Sequence, residues 1–182
     1  MPKPRGRNRS AAFVTVATVA VVATLAALVS GCGTVSWIMN DGVSNPITPE
    51  ESKAQVVDAA KEIVGILDLP VVEPVFWRAS CNDQGDPPFR GQARIGYPLA
   101  PSFEAADAED AELIERLRSQ GWTTDPDAVT HGTALKRNGV VALFRPQNAG
   151  TPTRGIDLYG ECRDVTTTRD TKGTTEDLDL SS

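Results

Sequence analysis

The first 32 residues constrain the chain most, because their composition is unlike that of the rest. Residues 2–10 contain four basic side chains and no acidic one, and residues 11–29 are apolar except for threonines. Two small residues then precede Cys32. This arrangement predicts a secretory signal peptide over residues 1–31. The alternative is an uncleaved membrane-spanning helix, since the apolar run approaches the length that crosses a bilayer.

The four residues at the end of this segment, Val29-Ser30-Gly31-Cys32, resemble the lipobox of bacterial lipoproteins. The usual lipobox has Leu three positions before the cysteine, and Val is an accepted substitute there. The resemblance implies that the Cys32 thiol receives a diacylglyceryl group and that cleavage makes Cys32 the N-terminus. Two acyl chains give stable membrane attachment, whereas one chain gives marginal attachment. We therefore expect a protein anchored through diacylglyceryl-cysteine on the extracytoplasmic face of the cell membrane.

Loss of the leader makes the protein more acidic. Without residues 1–31 the chain has 14 Lys and Arg against 24 Asp and Glu, a net charge of −10 instead of −6. A surface of this sign repels phosphate backbones, so nucleic acid is not an expected partner.

Two cysteines, Cys81 and Cys162, remain once Cys32 is assigned to the lipid. A pair of cysteines in an exported domain predicts a disulfide, which would contribute roughly 4–5 kcal/mol by closing a long loop. The alternatives are two free thiols or a metal site. A metal would need more ligands than two thiolates and the distant His131. We therefore expect neither a metal nor another cofactor.

Turn-forming residues and hydrophobic periodicity divide the mature chain into three parts. Residues 32–47 contain several helix breakers and predict a lipidated N-terminus and flexible tether. Residues 48–163 have the regular patterns of a folded domain. Residues 164–182 are rich in Thr and Asp and nearly free of apolar residues, which predicts a disordered tail.

Within the domain, apolar spacing predicts two helices and five strands. Thr48, Pro49 and Glu51 are typical of a helix start with a capping box. Asn138-Gly139 between two apolar runs predicts a tight hairpin. Short turns favour an antiparallel sheet, so the order α-β-β-α-β-β-β predicts a small α+β fold with both helices on one face. The predicted helices cover residues 48–69 and 103–120, and the strands cover 75–82, 90–97, 133–137, 140–145 and 154–162.

No group of residues matches a catalytic pattern. His131 is the only histidine, and none of Ser80, Ser102 and Ser119 lies in a nucleophile-elbow sequence. A single histidine in a loop is expected to be a solvated residue. An envelope hydrolase that uses His131 or paired carboxylates stays as the alternative.

Two acidic segments have simple structural interpretations. The run Glu104–Glu115 predicts the exposed face of an amphipathic helix, where carboxyl pKa values are ordinary. Asp83–Asp86 resembles part of a calcium loop but lacks the distal glutamate, so a turn is expected there.

The large aromatic residues can either build the core or line a binding surface. Packing against the helices is the expected role in a domain with few aromatic residues. If several shared an exposed sheet face, they could bind a sugar or a lipid chain. The residues are Trp77, Tyr97, Trp122, Phe144 and Tyr159.

The chain as a whole resembles the small cell-envelope lipoproteins of actinobacteria, the Lpp-type proteins of mycobacteria. The resemblance implies location and fold more than activity. We expect a non-enzymatic binding or interaction module, with an envelope hydrolase and a purely structural lipoprotein as alternatives. The features that carry the resemblance are the Arg-rich start, the lipobox at Cys32, the Trp77-to-Cys81 strand, Gly121-Trp122 after the second helix, and the segment Gly160-Glu161-Cys162-Arg163.

Overall fold

The computed structural model describes residues 42–128 and 130–180 of the 182-residue chain. The predicted signal peptide, Cys32 and most of the predicted tether lie outside the described residues. Residues 43–182 form a compact unit of their own. In the described ranges, neither helix combines the length and the apolar character that crossing a bilayer requires.

The predicted α+β fold is confirmed, with two helices and one antiparallel sheet in the described residues. The helices are α1 (Pro49–Leu67) and α2 (Phe103–Ser119). The strands are β1 (Glu73–Ser80), β2 (Phe89–Tyr97), β3 (Thr123–Thr124), β4 (Thr133–Arg137), β5 (Val140–Phe144), β6 (Arg154–Tyr159) and β7 (Glu176–Asp177). They lie in the order β3-β4-β5-β6-β2-β1-β7. The predicted order of elements holds, and only the two-residue strands β3 and β7 are additional.

Local sequence signals begin α1 and close the central hairpin as predicted. The Glu51 backbone N–H donates to the Thr48 hydroxyl at 3.1 Å, and the Thr48 backbone N–H donates to the Glu51 carboxylate at 2.8 Å. Asn138 and Gly139 join β4 to β5 with φ values of 48° and 78°. Positive φ at both central residues is the geometry of a type I′ turn, which forms tight hairpins.

Both helices pack on one face of the sheet, as predicted. The Gly91 backbone N–H of β2 donates to the Ser52 hydroxyl of α1 at 2.8 Å. The Tyr97 hydroxyl donates to the Asp110 carboxylate of α2 at 3.0 Å. Because Gly91 and Tyr97 are an even number of residues apart on one strand, they face the same side. Among the buried residues of this core are Val56, Ala60, Ile63, Phe76, Ala93, Ile95, Leu117, Leu135, Ile156 and Leu158.

The prediction of a disordered tail is wrong for residues 164–180. Strand β7 pairs with β1, and the Leu178 backbone N–H donates to the Pro74 carbonyl at 2.9 Å. Lys53 of α1 donates to Glu176 at 2.5 Å, and Leu180 is only 7% exposed. The segment therefore covers the free edge of β1, which would otherwise present unpaired backbone groups to solvent.

A buried carboxylate organises the start of this C-terminal segment. Asp164 is fully buried, and its backbone exchanges hydrogen bonds with Phe89 at 2.7 and 3.1 Å. Its carboxylate accepts backbone N–H bonds from Thr166 and Thr167, each at 3.0 Å. Burial acts to raise the pKa of Asp164, but hydrogen bonds from Thr167 and Thr166 outweigh it and lower the pKa. Polar side chains thus order a segment whose composition is typical of disorder.

The domain also begins before the predicted boundary at residue 48. The Ile47 backbone N–H donates to the Arg163 carbonyl at 3.0 Å, and the Arg163 Nε donates to the Asn45 carbonyl at 2.7 Å. Residues 45–47, predicted as tether, are therefore bonded to the domain.

The predicted disulfide between Cys81 and Cys162 is present. Their Cα atoms are 6.0 Å apart, within the range that a disulfide requires. Both cysteines were predicted to lie on strands, but β1 ends at Ser80 and β6 at Tyr159. The Cys81 backbone N–H still donates to the Pro88 carbonyl at 2.9 Å, but Pro88 has no N–H with which to return a bond, so the pairing of β1 with β2 ends at Ser80 and Phe89. The bond therefore links two chain segments across the end of the sheet.

Candidate functional site

The sheet face that points away from the helices carries charged and aromatic side chains. Side chains alternate along a strand, so Asp157 and Tyr159 of β6 point away from the core that holds Ile156 and Leu158. Two rows of paired residues cross this face from strand to strand. The first row consists of Trp77, Gln92, Tyr159 and Val141. The second row consists of Val75, Arg94, Asp157, Leu143 and Ala134.

A groove of about 700 Å³ lies over part of this face. Ala134, Val141 and Leu143 contribute apolar surface to it, and Arg90 and Tyr159 contribute a guanidinium and a phenol ring. The volume lies within the usual range for sites that bind small molecules. Segments that flank the strands also line the groove, with residues that include Asp125, His131, Arg145 and Asn148.

Five side chains form a continuous network along this face, which we call the arginine ladder: Arg90, Arg94, Arg145, Asp157 and Tyr159. Arg94 Nη1 donates to Asp157 Oδ1 at 2.9 Å, and Arg145 Nε donates to Asp157 Oδ2. Arg145 Nη2 also donates to the Tyr159 hydroxyl at 3.0 Å. The Arg90 guanidinium lies over the Tyr159 ring, 4.9 Å from its centroid, which is a cation–π contact.

A glycine lets the ladder cross β6. A Cβ at Gly155 would be 2.6 Å from Arg94 Cζ, closer than carbon atoms can approach without displacement. The absence of a side chain at Gly155 therefore leaves room for the Arg94 guanidinium to reach Asp157.

The ladder has an excess of positive charge, with three guanidinium groups against one carboxylate. Asp157 uses both oxygens on Arg94 and Arg145. Within the described residues, the Arg90 side chain has no hydrogen bond or ion pair, and its Nε is buried without a partner. A buried donor without an acceptor costs about 1–3 kcal/mol. Burial also lowers the pKa of Arg90, because it removes water from the charged form.

The structure does not bring His131 and the serines together. His131 is exposed and borders the groove. The Ser80 and Ser119 hydroxyls donate to backbone carbonyls of their own segments at 2.6 and 2.7 Å, and Ser102 caps α2. Within the described residues, none of these serines is hydrogen-bonded to the histidine.

The acidic face of α2 is exposed as predicted, except at Asp110, which is 9% exposed. Burial raises the pKa of this carboxyl, although the hydrogen bond from Tyr97 and the charge of Arg154 act in the opposite direction. The expectation of an ordinary pKa is therefore wrong at this position. The reason is that Asp110 follows Ala106 by one helical turn and so lies on the core-facing stripe.

The aromatic residues divide between the two faces of the sheet. Tyr97, Trp122 and Phe144 are buried in the core, as the packing interpretation predicted. Trp77 and Tyr159 are half-buried on the opposite face, in the same row of the sheet. Only Tyr159 lines the groove.

The segment that resembles part of a calcium loop is a turn, as expected. The Asn82 side-chain oxygen accepts backbone N–H bonds from Gln84 and Asp86 at 3.1 and 3.2 Å. In residues 42–128 and 130–180, no three His, Cys, Asp or Glu side chains are grouped so that they could hold a metal.

Comparison with known proteins identifies the family of this chain. The family model described as "Putative lipoprotein LppJ" matches residues 48–181, which include both helices, the whole sheet and the groove. The chain belongs to this family. The expected resemblance to mycobacterial lipoproteins of the Lpp type is thereby confirmed.

Three relatives of the same description come from mycobacteria. A "Putative lipoprotein LppJ" of Mycobacterium bovis is 34% identical over 162 residues, covering 80% of this chain and 81% of the relative. Two proteins of the same description from Mycobacterium tuberculosis strains are each 37% identical over 131 residues, covering 69% of this chain and 66% of theirs. No solved structure matches the chain.

The sequence predictions missed the arginine ladder. A usable signal is present in β2, where Gln92 and Arg94 alternate with Ala93 and Ile95 and so share the face opposite these apolar residues. The alternation within β2 gives no information about which strand lies beside it, and this strand is β6. The carboxylate partner Asp157 could therefore not be assigned from the sequence.

Proposed function

We propose that this LppJ-family protein is a lipid-anchored binding protein of the cell envelope, held on the extracytoplasmic face of the membrane through Cys32. The basic and apolar leader, the lipobox-like sequence before Cys32 and the family description support the anchor. The groove on the open face of the sheet is the binding site in this proposal.

One observation carries the choice of a binding role. The groove combines an apolar surface with Arg90, a half-buried guanidinium that has no hydrogen-bonding partner within the described residues. A small number of polar groups around an apolar pocket is the usual composition of a ligand site. A bound ligand would supply acceptors for the Arg90 Nη groups, which have no hydrogen-bonding partner within the described residues.

A hydrolase is the competing function, and the geometry favours it less. Acid–base catalysis needs a base within hydrogen-bonding reach of a nucleophile or water and held in orientation. His131 is exposed, and the serines considered above are engaged elsewhere. A membrane tether suits a binding protein in addition, because it raises the effective concentration of the domain near targets on the membrane.

The test is to block the groove by substitution and to measure the amount of compound that copurifies with the protein. Val141 is half-buried on the open face, so Val141→Trp fills the groove without entering the core. Val72→Trp is the matched control, because Val72 is 51% exposed and does not line the groove. A soluble version that begins at residue 33 retains the compact unit 43–182 with its core and disulfide. Secreted from a mycobacterial host, it can be purified without detergent.

Solvent extraction and mass spectrometry then give the amount of copurified compound per protein. We expect a compound in the wild-type protein and in Val72→Trp, and about tenfold less in Val141→Trp. Equal amounts in all three proteins, or no compound in any, would contradict the proposal. His131→Ala should leave the amount unchanged, whereas accumulation of an uncleaved compound in that variant would favour the hydrolase.

A further inference from the structure

We propose that the groove binds an amphiphilic anion, a carboxylate or phosphate group joined to an apolar body, and that Arg90 anchors the charged end. This inference rests on the proposed function and specifies the chemistry of its ligand.

The charge distribution selects an anion. The mature chain has a net charge of −10, yet the arginine ladder contains three guanidinium groups and one carboxylate. Asp157 is fully used by Arg94 and Arg145, so Arg90 has no anionic partner on the ladder. Asp125 also lines the groove, but it makes no ion pair with Arg90 within the described residues, and its carboxylate accepts the Asp127 backbone N–H at 3.2 Å.

Arginine geometry adds to this argument. Guanidinium groups present donors in a planar fork that matches carboxylate and phosphate oxygens. The cation–π contact with the Tyr159 ring restrains the Arg90 guanidinium, and Arg145 Nη2 restrains the ring in turn by donating to the Tyr159 hydroxyl at 3.0 Å. The anchor is therefore oriented before any ligand arrives, which reduces the entropy lost on binding.

The apolar part of the ligand follows from the rest of the groove. Ala134 and Leu143 are buried beneath it, and Val141 is half-buried. These side chains form no hydrogen bonds, so a hydrophilic anion such as free phosphate would make no favourable contact with them. An acyl or other apolar chain would remove from water the exposed part of Val141 and the small exposed edges of Ala134 and Leu143.

The ionic cluster around the buried Arg154 does not compete as an anion site. Arg154 is 6% exposed and already contacts Glu109 and Asp110, and its guanidinium stacks on Tyr97 at 4.8 Å. Its Nη1 is also buried without a hydrogen bond, but Asp110 lies 3.5 Å from that atom, and the two carboxylates balance the charge of Arg154, in contrast to that of Arg90.

The experiment is an NMR titration of the soluble version that begins at residue 33, with four probes. Octyl phosphate and octanoate represent the amphiphilic anion, 1-octanol represents the apolar body alone, and inorganic phosphate represents the free anion. We expect both amphiphilic anions to bind at least about tenfold more tightly than either single-feature probe. The shifted resonances should belong to Arg90, Val141, Leu143 and Tyr159.

Substitution of the anchor makes the inference specific. Arg90→Gln should weaken octyl phosphate binding by about tenfold or more, since a hydrogen-bonded charge is lost. Arg118→Gln is the matched control, because Arg118 lies on α2 at the other face of the sheet and pairs with Glu115 at 2.5 Å. It should leave binding unchanged. Arg90→Lys, which retains the charge without the fork, should give an intermediate affinity.

Each contrary result has a distinct meaning. If 1-octanol binds as tightly as the amphiphilic anions, the claim that the ligand needs an anionic group is wrong, and the binding groove proposed above remains. If inorganic phosphate binds as tightly, the claim that the ligand needs an apolar part is wrong. Absence of binding by every probe, or shifts on α1 and α2 instead, would overturn the whole inference, while the extraction experiment still decides the binding function. A version that begins at Gly42 and binds at least about tenfold more tightly would identify the protein's own tether as the occupant.

Discussion

Removal of the disulfide gives a stability change whose size can be calculated from the fold. Cys81 and Cys162 are 81 residues apart in sequence, and their bond closes that loop in the unfolded chain. The loop-closure relation gives an entropy loss of about 15 cal/mol/K for this length, or about 4.5 kcal/mol at 25 °C. A domain of this size is stable by only about 5–15 kcal/mol. The double variant Cys81→Ala/Cys162→Ala should therefore be close to its stability limit.

Urea unfolding measured by tryptophan fluorescence provides the assay. Trp122 is 2% exposed and will report loss of the core. At a slope of about 1.5 kcal/mol per molar urea, the expected loss corresponds to a midpoint about 3 M lower than that of the oxidised wild-type protein. Dithiothreitol-treated wild type is the control and should match the double variant.

A loss below about 1 kcal/mol would refute this reasoning. It would mean that the unfolded chain is already constrained, or that the bonds of Arg163 to Asn45 and Ile47 and of Asp164 to Phe89 hold the end of the sheet alone.

Three further predictions follow from single positions. Gly155→Ala should displace Arg94 and destabilise the domain by about 1–2 kcal/mol in thermal or urea unfolding. Gly65→Ala on α1, where a Cβ meets nothing within 4 Å, should instead stabilise the domain by about 0.5–1 kcal/mol. The opposite order of stabilities would contradict the close approach of Arg94 to Gly155. Because the pKa of Asp164 is lowered in the folded state, its stabilisation is complete above the unfolded value near 4 and disappears as the pH falls through the lower folded value. The stability difference between wild type and Asp164→Asn should therefore be constant above about pH 5 and decrease below about pH 4, and a difference independent of pH would refute this role. Cys32→Ala should abolish acyl labelling in cells and leave the precursor uncleaved, and a labelled or cleaved variant would argue against the anchor at that residue.

The features that the sequence predicted correctly depend on neighbouring residues. The capping box at Thr48 and the hairpin at Asn138-Gly139 each need only a few adjacent positions, so their geometry follows directly from residue type. The disulfide was predictable for a different reason, since an exported domain with one remaining pair of cysteines has a single possible intramolecular partnership.

The features that the sequence did not predict depend on which distant segments meet. The ladder needs Arg94 and Asp157 to be opposite each other on adjacent strands, and these residues are 63 positions apart. Asp110 shows the same limit, because its place on the core-facing stripe was visible but its partner Tyr97 was not.

The C-terminal segment was mispredicted because composition was used as the criterion. Thr and Asp are typical of disorder when they face water, but Asp164 is buried and satisfies the backbone of Thr166 and Thr167. Two leucines, Leu178 and Leu180, are then enough to fix the end of the segment against the core.

Photolabelling tests the central claim, that the open face of the sheet is the binding surface, most directly. A short-chain fatty acid with a diazirine in its alkyl chain can be crosslinked to the soluble protein, and the labelled residues located by peptide mass spectrometry. The structure predicts labels on Ala134, Val141 and Leu143, reduced by about tenfold when an excess of octyl phosphate is present. Labels concentrated instead on the exposed apolar residues Leu99 and Phe103, with none competed by octyl phosphate, would contradict the claim.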